Sequence, residues 1–237
     1  MLVTAVAVTA VAVTAQDAPA APGPGPGFTL RTITQKVSLT GSGPADQTLS
    51  AVEYQPGHAR VKGNQVMIPG VTYDHRYFDL KTNRGWISQA RKAAEDGWIT
   101  VAVDRLGTGD SSSPAAHRLN ATTHSATIHQ LITKLRTDHK GLPVALVGHS
   151  MGSVVAIQEA ASYKDVNVPV LSLVGRHDGL YFDPADLNTT LKAETGAYPA
   201  SPDVDVKSIP GAGHDLALQR NADSTIDIIN TWLSRKL

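Results

Sequence analysis

Leu142 to Ser162 reads LPVALVGHSMGSVVAIQEAAS, and its three parts come in an order that decides the fold. Val144 to Val147 is a dense apolar run without polar alternation, as expected of a strand buried on both faces. From Met151 the apolar residues recur at helical spacing. Between the two stands Gly148-His149-Ser150-Met151-Gly152. A sharp strand-to-helix turn forces its serine into a strained backbone conformation, and glycines two before and two after leave room for it. The hydroxyl then stands free at the sheet edge, with the helix N-terminus beneath it.

Outward from this turn the same alternation repeats. QVMIPG, WITVAVDRLG, VPVLSLVGRHD and VDVKSIPGAGH are further short runs rich in Val and Ile. Helical patterns cover Tyr77–Glu95, Ala121–His139, Met151–Lys164 and Gln219–Leu233. FTLRTITQKVSLT and TLSAVEYQP read as two edge strands joined by GSGPADQ. The expectation is an α/β fold with a mostly parallel central sheet flanked by helices. In such folds the crevice lies at the carboxyl ends of the strands. Every exit there carries glycine beside a reactive group: PGVTYDH, DRLGTGDSS, GHSMG, GRHD and GAGHD.

A serine hydroxyl needs a positioned base. Of nine histidines, His58, His75, His117, His124, His129 and His139 fall in turns or on helices, where solvated or capping roles are expected. His149 lies inside the turn and should point away from the hydroxyl, and His177 sits beside Asp178 as local scaffolding. His214, in the loop after the last strand, is the expected base. Asp178, at a strand exit between Ser150 and His214, is the expected orienting acid, with Asp183 in reserve. This gives the order Ser–Asp–His for the triad. Asp104 precedes the serine and reads as a loop organiser. An oxyanion requires two backbone N–H donors. Met151 supplies one, and the loop after QVMIP supplies the other through Val71, with Thr72 as the alternative.

Composition narrows the function classes. The 237 residues are 41% hydrophobic and 18% charged, with 21 basic and 21 acidic side chains, so nothing attracts nucleic acid or an anionic membrane. With no cysteine, thiolate chemistry is excluded. No HExxH, EF-hand or dinucleotide fingerprint occurs, so neither metal nor cofactor is expected. The expected partner is a small ester-like molecule. Residues 1–15 read as a signal peptide or N-terminal apolar segment too short to span a bilayer, although no Lys or Arg precedes it. Residues 16–27 read as a Pro/Gly-rich linker and 28–237 as the folded domain. A secreted protein with no stable membrane insertion after cleavage is the expectation.

From about Gln65 to Trp232 the five motifs, in this order, resemble the α/β-hydrolase superfamily of single-domain serine esterases and lipases. The resemblance implies the triad roles above and no particular substrate. Acyl hydrolysis is the first expectation. Perhydrolysis or lyase chemistry with the same residues, or a non-catalytic binding protein retaining the triad, are the alternatives. One departure stands out. Only Met151 to Asn167 separate the serine from the strand carrying Asp178, where the family usually has a further strand and often a lid. The expectation is a reduced, lidless member, in which VPVLSLVG pairs directly with PVALVG, or else a chain lacking an internal segment.

Overall fold

Alternating side chains of the buried strands feed two separate cores. Val144 and Leu146 pack in one, with Ile128, Leu131, Leu135 and Val155, whereas Ala145 and Val147 pack in the other, with Ala90, Ala94, Trp232 and Leu233. Period-two alternation between two apolar layers leaves no polar face, which is why these runs look uninterrupted in sequence. The computed structural model describes residues 7–11, 27–57, 60–162, 168–180 and 186–237.

The strands are β1 (Ala7–Val11), β2 (Phe28–Val37), β3 (Gln47–Pro56), β4 (Gly63–Ile68), β5 (Asp79–Thr82), β6 (Gly85–Ser88), β7 (Trp98–Asp104), β8 (Val144–Gly148), β9 (Val170–Gly175) and β10 (Val204–Ile209). The helices are α1 (Gln89–Glu95), α2 (Ala121–Asp138), α3 (Met151–Ser162), α4 (Leu187–Gly196) and α5 (Ala222–Lys236). Eight strands form one mixed sheet in the order β10-β9-β1-β8-β4-β7-β3-β2. β7, β4 and β8 are mutually parallel, as are β9 and β10, while β2 and β3 close one edge antiparallel. Helices α2 and α3 cover one face and α1 and α5 the other, as their shares of the two cores show. Among the described residues no helix is long and apolar enough to cross a membrane.

Two expectations are corrected. VPVLSLVG does not pair with PVALVG. β1 lies between them, antiparallel to both, with Val8 opposite Val147 and Leu171. The short connection through α3 leaves one strand's width open, and the N-terminal segment fills it. The folded sheet therefore takes in residues assigned to a leader outside the domain. The second correction concerns Tyr77–Glu95, which is not one helix. β5 and β6 form a hairpin whose turn uses Gly85 at φ 119°, while Thr82 Oγ1 accepts from Arg84 N and donates to Gly85 O. Ser88 then caps α1 by accepting from Arg91 N at 3.0 Å. Helix α4, which no pattern indicated, is capped by Asp186, whose side chain accepts from Thr189 N.

Candidate active site

At the end of β8 the chain reverses into α3 through Ser150, which sits at φ 51°. Left-handed backbone is unfavourable for a side-chain-bearing residue, so the turn is held by its surroundings. A Cβ on Gly148 would lie 2.5 Å from Ser153 Cα, and one on Gly152 would collide with the Ile68 carbonyl. Both glycines are therefore required by close backbone approach rather than by their own dihedrals. His149 N donates to Ile68 O at 3.0 Å, tying the elbow to the end of β4. Helix α3 begins at Met151, and the first N–H groups of a helix lack partners within it.

His149, the residue before the serine, is buried. Its ring stacks on Tyr77 at 4.1 Å, and its Nε2 lies 3.3 Å from the His214 carbonyl oxygen. A carbonyl only accepts, so Nε2 carries the proton. Burial, helped by the charge on His214 when protonated, pushes this ring down to about 4, so it is neutral at pH 7. The elbow is thereby joined to the histidine loop.

Asp178 and His214 come together from different strand exits. Asp178 is 2% exposed and accepts from His214 Nδ1 at 2.9 Å and from Leu180 N at 3.1 Å. Backbone bonds hold the two loops side by side: Arg176 N to Ile209 O, and His177 N to Ala212 O at 2.8 Å. Asp178 thus reaches the histidine with β1 standing between β8 and β9. The rings of His149 and His214 are 5.0 Å apart, which places His214 beside the elbow. Asp183 lies outside the described residues.

After β4, Gly70 comes so close to the elbow that a Cβ there would stand 2.8 Å from His149 Nδ1 and 3.1 Å from Ser150 Cβ. Tyr73 N donates to Gly70 O across Val71 and Thr72, and Thr72 has φ 70°, the pattern of a type II turn. A threonine there is strained, since such turns normally place glycine at that position. Val71 projects outward, 60% exposed.

Two residues escaped the sequence reading. Arg105 donates to Pro69 O and Gly70 O from behind this turn. Its signal was the position, directly after a buried strand. His124 is not solvated: it is buried beside Arg105, and desolvation, then the Arg105 charge, lowers it to about 4. Asp104 does organise its loop, accepting from His75 N, His75 Nδ1 and Asp110 N. Burial pulls its carboxyl upward, but these hydrogen bonds outweigh that and hold it below the usual range. Asp74, His75 and Asp104 approach within metal-chelating range of one another. Their ligand atoms are already engaged, with Asp74 gripped by Arg76, so the group reads as a loop clamp.

The profile of the alpha/beta hydrolase family matches residues 65–223. No curated protein matches the chain. Among solved structures, a predicted CIB-like hydrolase from Thermoplasma acidophilum is 14% identical with a TM-score of 0.64, covering 88% of this chain and all of its own. The Pyrococcus furiosus esterase Pf2001 is 13% identical with a TM-score of 0.66, covering 91% and 97%. A dienelactone hydrolase from Anabaena variabilis is 16% identical with a TM-score of 0.62, covering 89% and 99%. At these identities the likeness is one of fold.

Proposed function

Since the chain belongs to the alpha/beta hydrolase family, we propose that it is a serine hydrolase that cleaves carboxylic esters or related acyl bonds through an acyl-enzyme. The observation that carries this reading is the 2.9 Å bond from His214 Nδ1 to buried Asp178, beside a serine held at positive φ. An ionised carboxylate on Nδ1 leaves Nε2 as the basic nitrogen and stabilises the imidazolium that forms.

In this mechanism Ser150 Oγ attacks the carbonyl carbon while His214 Nε2 takes its proton. The oxyanion is met by the N–H groups of Met151 and Val71. Protonated His214 then hands its proton to the leaving alcohol. Water, deprotonated by the same nitrogen, releases the acid and restores the serine. Val71 and Leu180, both large, apolar and exposed, lie on the oxyanion turn and on the loop after Asp178. They favour esters with apolar groups next to the scissile bond.

The test is a series of p-nitrophenyl esters of graded acyl length, run with wild type and Ser150→Ala, together with labelling by a fluorophosphonate. Hydrolysis and labelling that both depend on Ser150 support the reading. Labelling without turnover of any ester would move the chemistry to another acyl or non-hydrolytic reaction, and neither activity would leave a binding protein.

A further inference from the structure

Arg105 is 5% exposed at the exit of β7. Its Nε donates to Pro69 O at 3.0 Å and its Nη2 to Gly70 O at 2.6 Å. Its Nη1 stands 3.4 Å from His124 Nε2. Among the described residues it forms no ion pair, so its charge is answered by two carbonyls and a neutral ring. A buried guanidinium is costly unless its donors are met, and a purely apolar core would be served as well by Met or Leu. The cost needs a reason.

The geometry supplies one. Both acceptors are consecutive carbonyls of the loop that faces Ser150. A trans peptide is planar, so its N–H points opposite to its C=O. Drawing the Gly70 carbonyl toward Arg105 turns the Val71 N–H the other way, and the grip on Pro69 does the same for the Gly70 N–H. Gly70 tolerates many backbone conformations, and Thr72 is strained at φ 70°, so this loop has both the freedom and a driving force to rearrange. A planar fork that holds two carbonyls at once resists that rearrangement in a way a single donor does not.

We propose that Arg105 is a positioning residue of the oxyanion hole, its fork fixing the Pro69–Gly70–Val71 peptides so that the Val71 N–H meets the developing oxyanion. This rests on the acyl-hydrolase reading above. The Arg105 charge, behind the same peptides, also reinforces the donors electrostatically.

Arg105→Met keeps the volume and removes the fork. The expected result is a fall in kcat for p-nitrophenyl butyrate on the order of 100-fold, the size of losing one oxyanion donor. KM should stay within about threefold, because only transition-state stabilisation is lost. A boronic acid that adds to Ser150 as a tetrahedral anion should lose affinity in parallel, which a merely structural role would not produce. Arg105→Lys, able to meet one carbonyl, should fall between. If Arg105→Met does not fold, Arg105→Lys decides. A kcat unchanged in a folded variant, or a loss confined to KM, overturns the inference. Wild type and Ser150→Ala run alongside separate the two levels. Absence of Ser150-dependent turnover in wild type sinks the hydrolase reading and this inference with it, whereas intact turnover in wild type and variants sinks the inference alone.

Discussion

The carbonyl oxygen of Gly213 occupies the space where a side chain on Gly175 would stand. The exit of the acid strand and the histidine loop are thus in backbone contact two residues before His177 and one before His214. Nothing larger than hydrogen fits. Gly175→Ala should push the loops apart, stretch the Asp178–His214 bond and cost about 1–3 kcal/mol of stability. Ester turnover should drop by at least about tenfold, since displacements of about 1 Å at a site are expensive. A crystal structure or steady-state kinetics showing an intact bond and full activity in this variant would refute the argument.

Ser150 has a positive φ that it does not choose for itself. Ser150→Ala should abolish turnover and leave the unfolding midpoint nearly unchanged. Ser150→Gly, also inactive, should be more stable than Ser150→Ala by about 1 kcal/mol, because glycine adopts this conformation without strain. Thermal melts of the two variants decide it, and equal midpoints would argue against strain at the elbow.

His124 and His149 are both buried and lowered to about 4, well below the 6.5 of the unfolded chain. A depressed folded value means that the unfolded state binds the proton first. The stability these rings contribute is therefore present above pH 6.5 and lost as pH falls toward 4. The upper bound is on the order of 3 kcal/mol per ring. His75 acts with the opposite sign, since its bond to Asp104 raises it, and offsets part of the loss. Urea melts should give a lower midpoint at pH 5 than at pH 7.5. An unchanged midpoint would mean these rings are not buried neutral.

Removal of residues 1–15 deletes β1 and leaves β8 and β9 with unpaired facing edges. Such edges are destabilising and prone to aggregation. The truncated protein should unfold at lower denaturant than the full chain, and a synthetic peptide of residues 2–15 added in trans should restore part of the difference. Equal midpoints for truncated and full-length protein would show that β1 carries no stability.

What could be read from sequence was local or ordered along the chain. The elbow declared itself because its glycines flank the serine within five residues, between a buried strand and a helix, even though the steric demand on Gly152 comes from Ile68 at the end of β4. Asp178 and His214 could be picked out because each follows a strand whose exit carries glycine, the first strand fully buried and the second only partly so. The hairpin at Asp79–Ser88 was missed because Tyr77, Phe78, Ile87 and the alanines of α1 also satisfy a helical period. Only Gly85 and the Ser88 cap mark the breaks. Arg105 and His124 were passed over because an arginine after a strand and a histidine on a helix are ordinarily solvated, and the place of Arg105 behind a buried strand was the one hint. Their burial depends on α2 folding back over the β7 exit. The place of β1 was hidden for a similar reason: its partners lie far along the chain.

That distance orders events in time. On the ribosome β1 emerges first, yet Val8 must wait for Val147 and then Leu171 before either edge of it can pair. Pairings so non-local are slow, because loop closure must precede any gain in contacts. The rest of the sheet, from β2 to β8, can assemble from nearer neighbours while β1 waits for its partners. The first of these strands to be made is seated only after β9 has followed it.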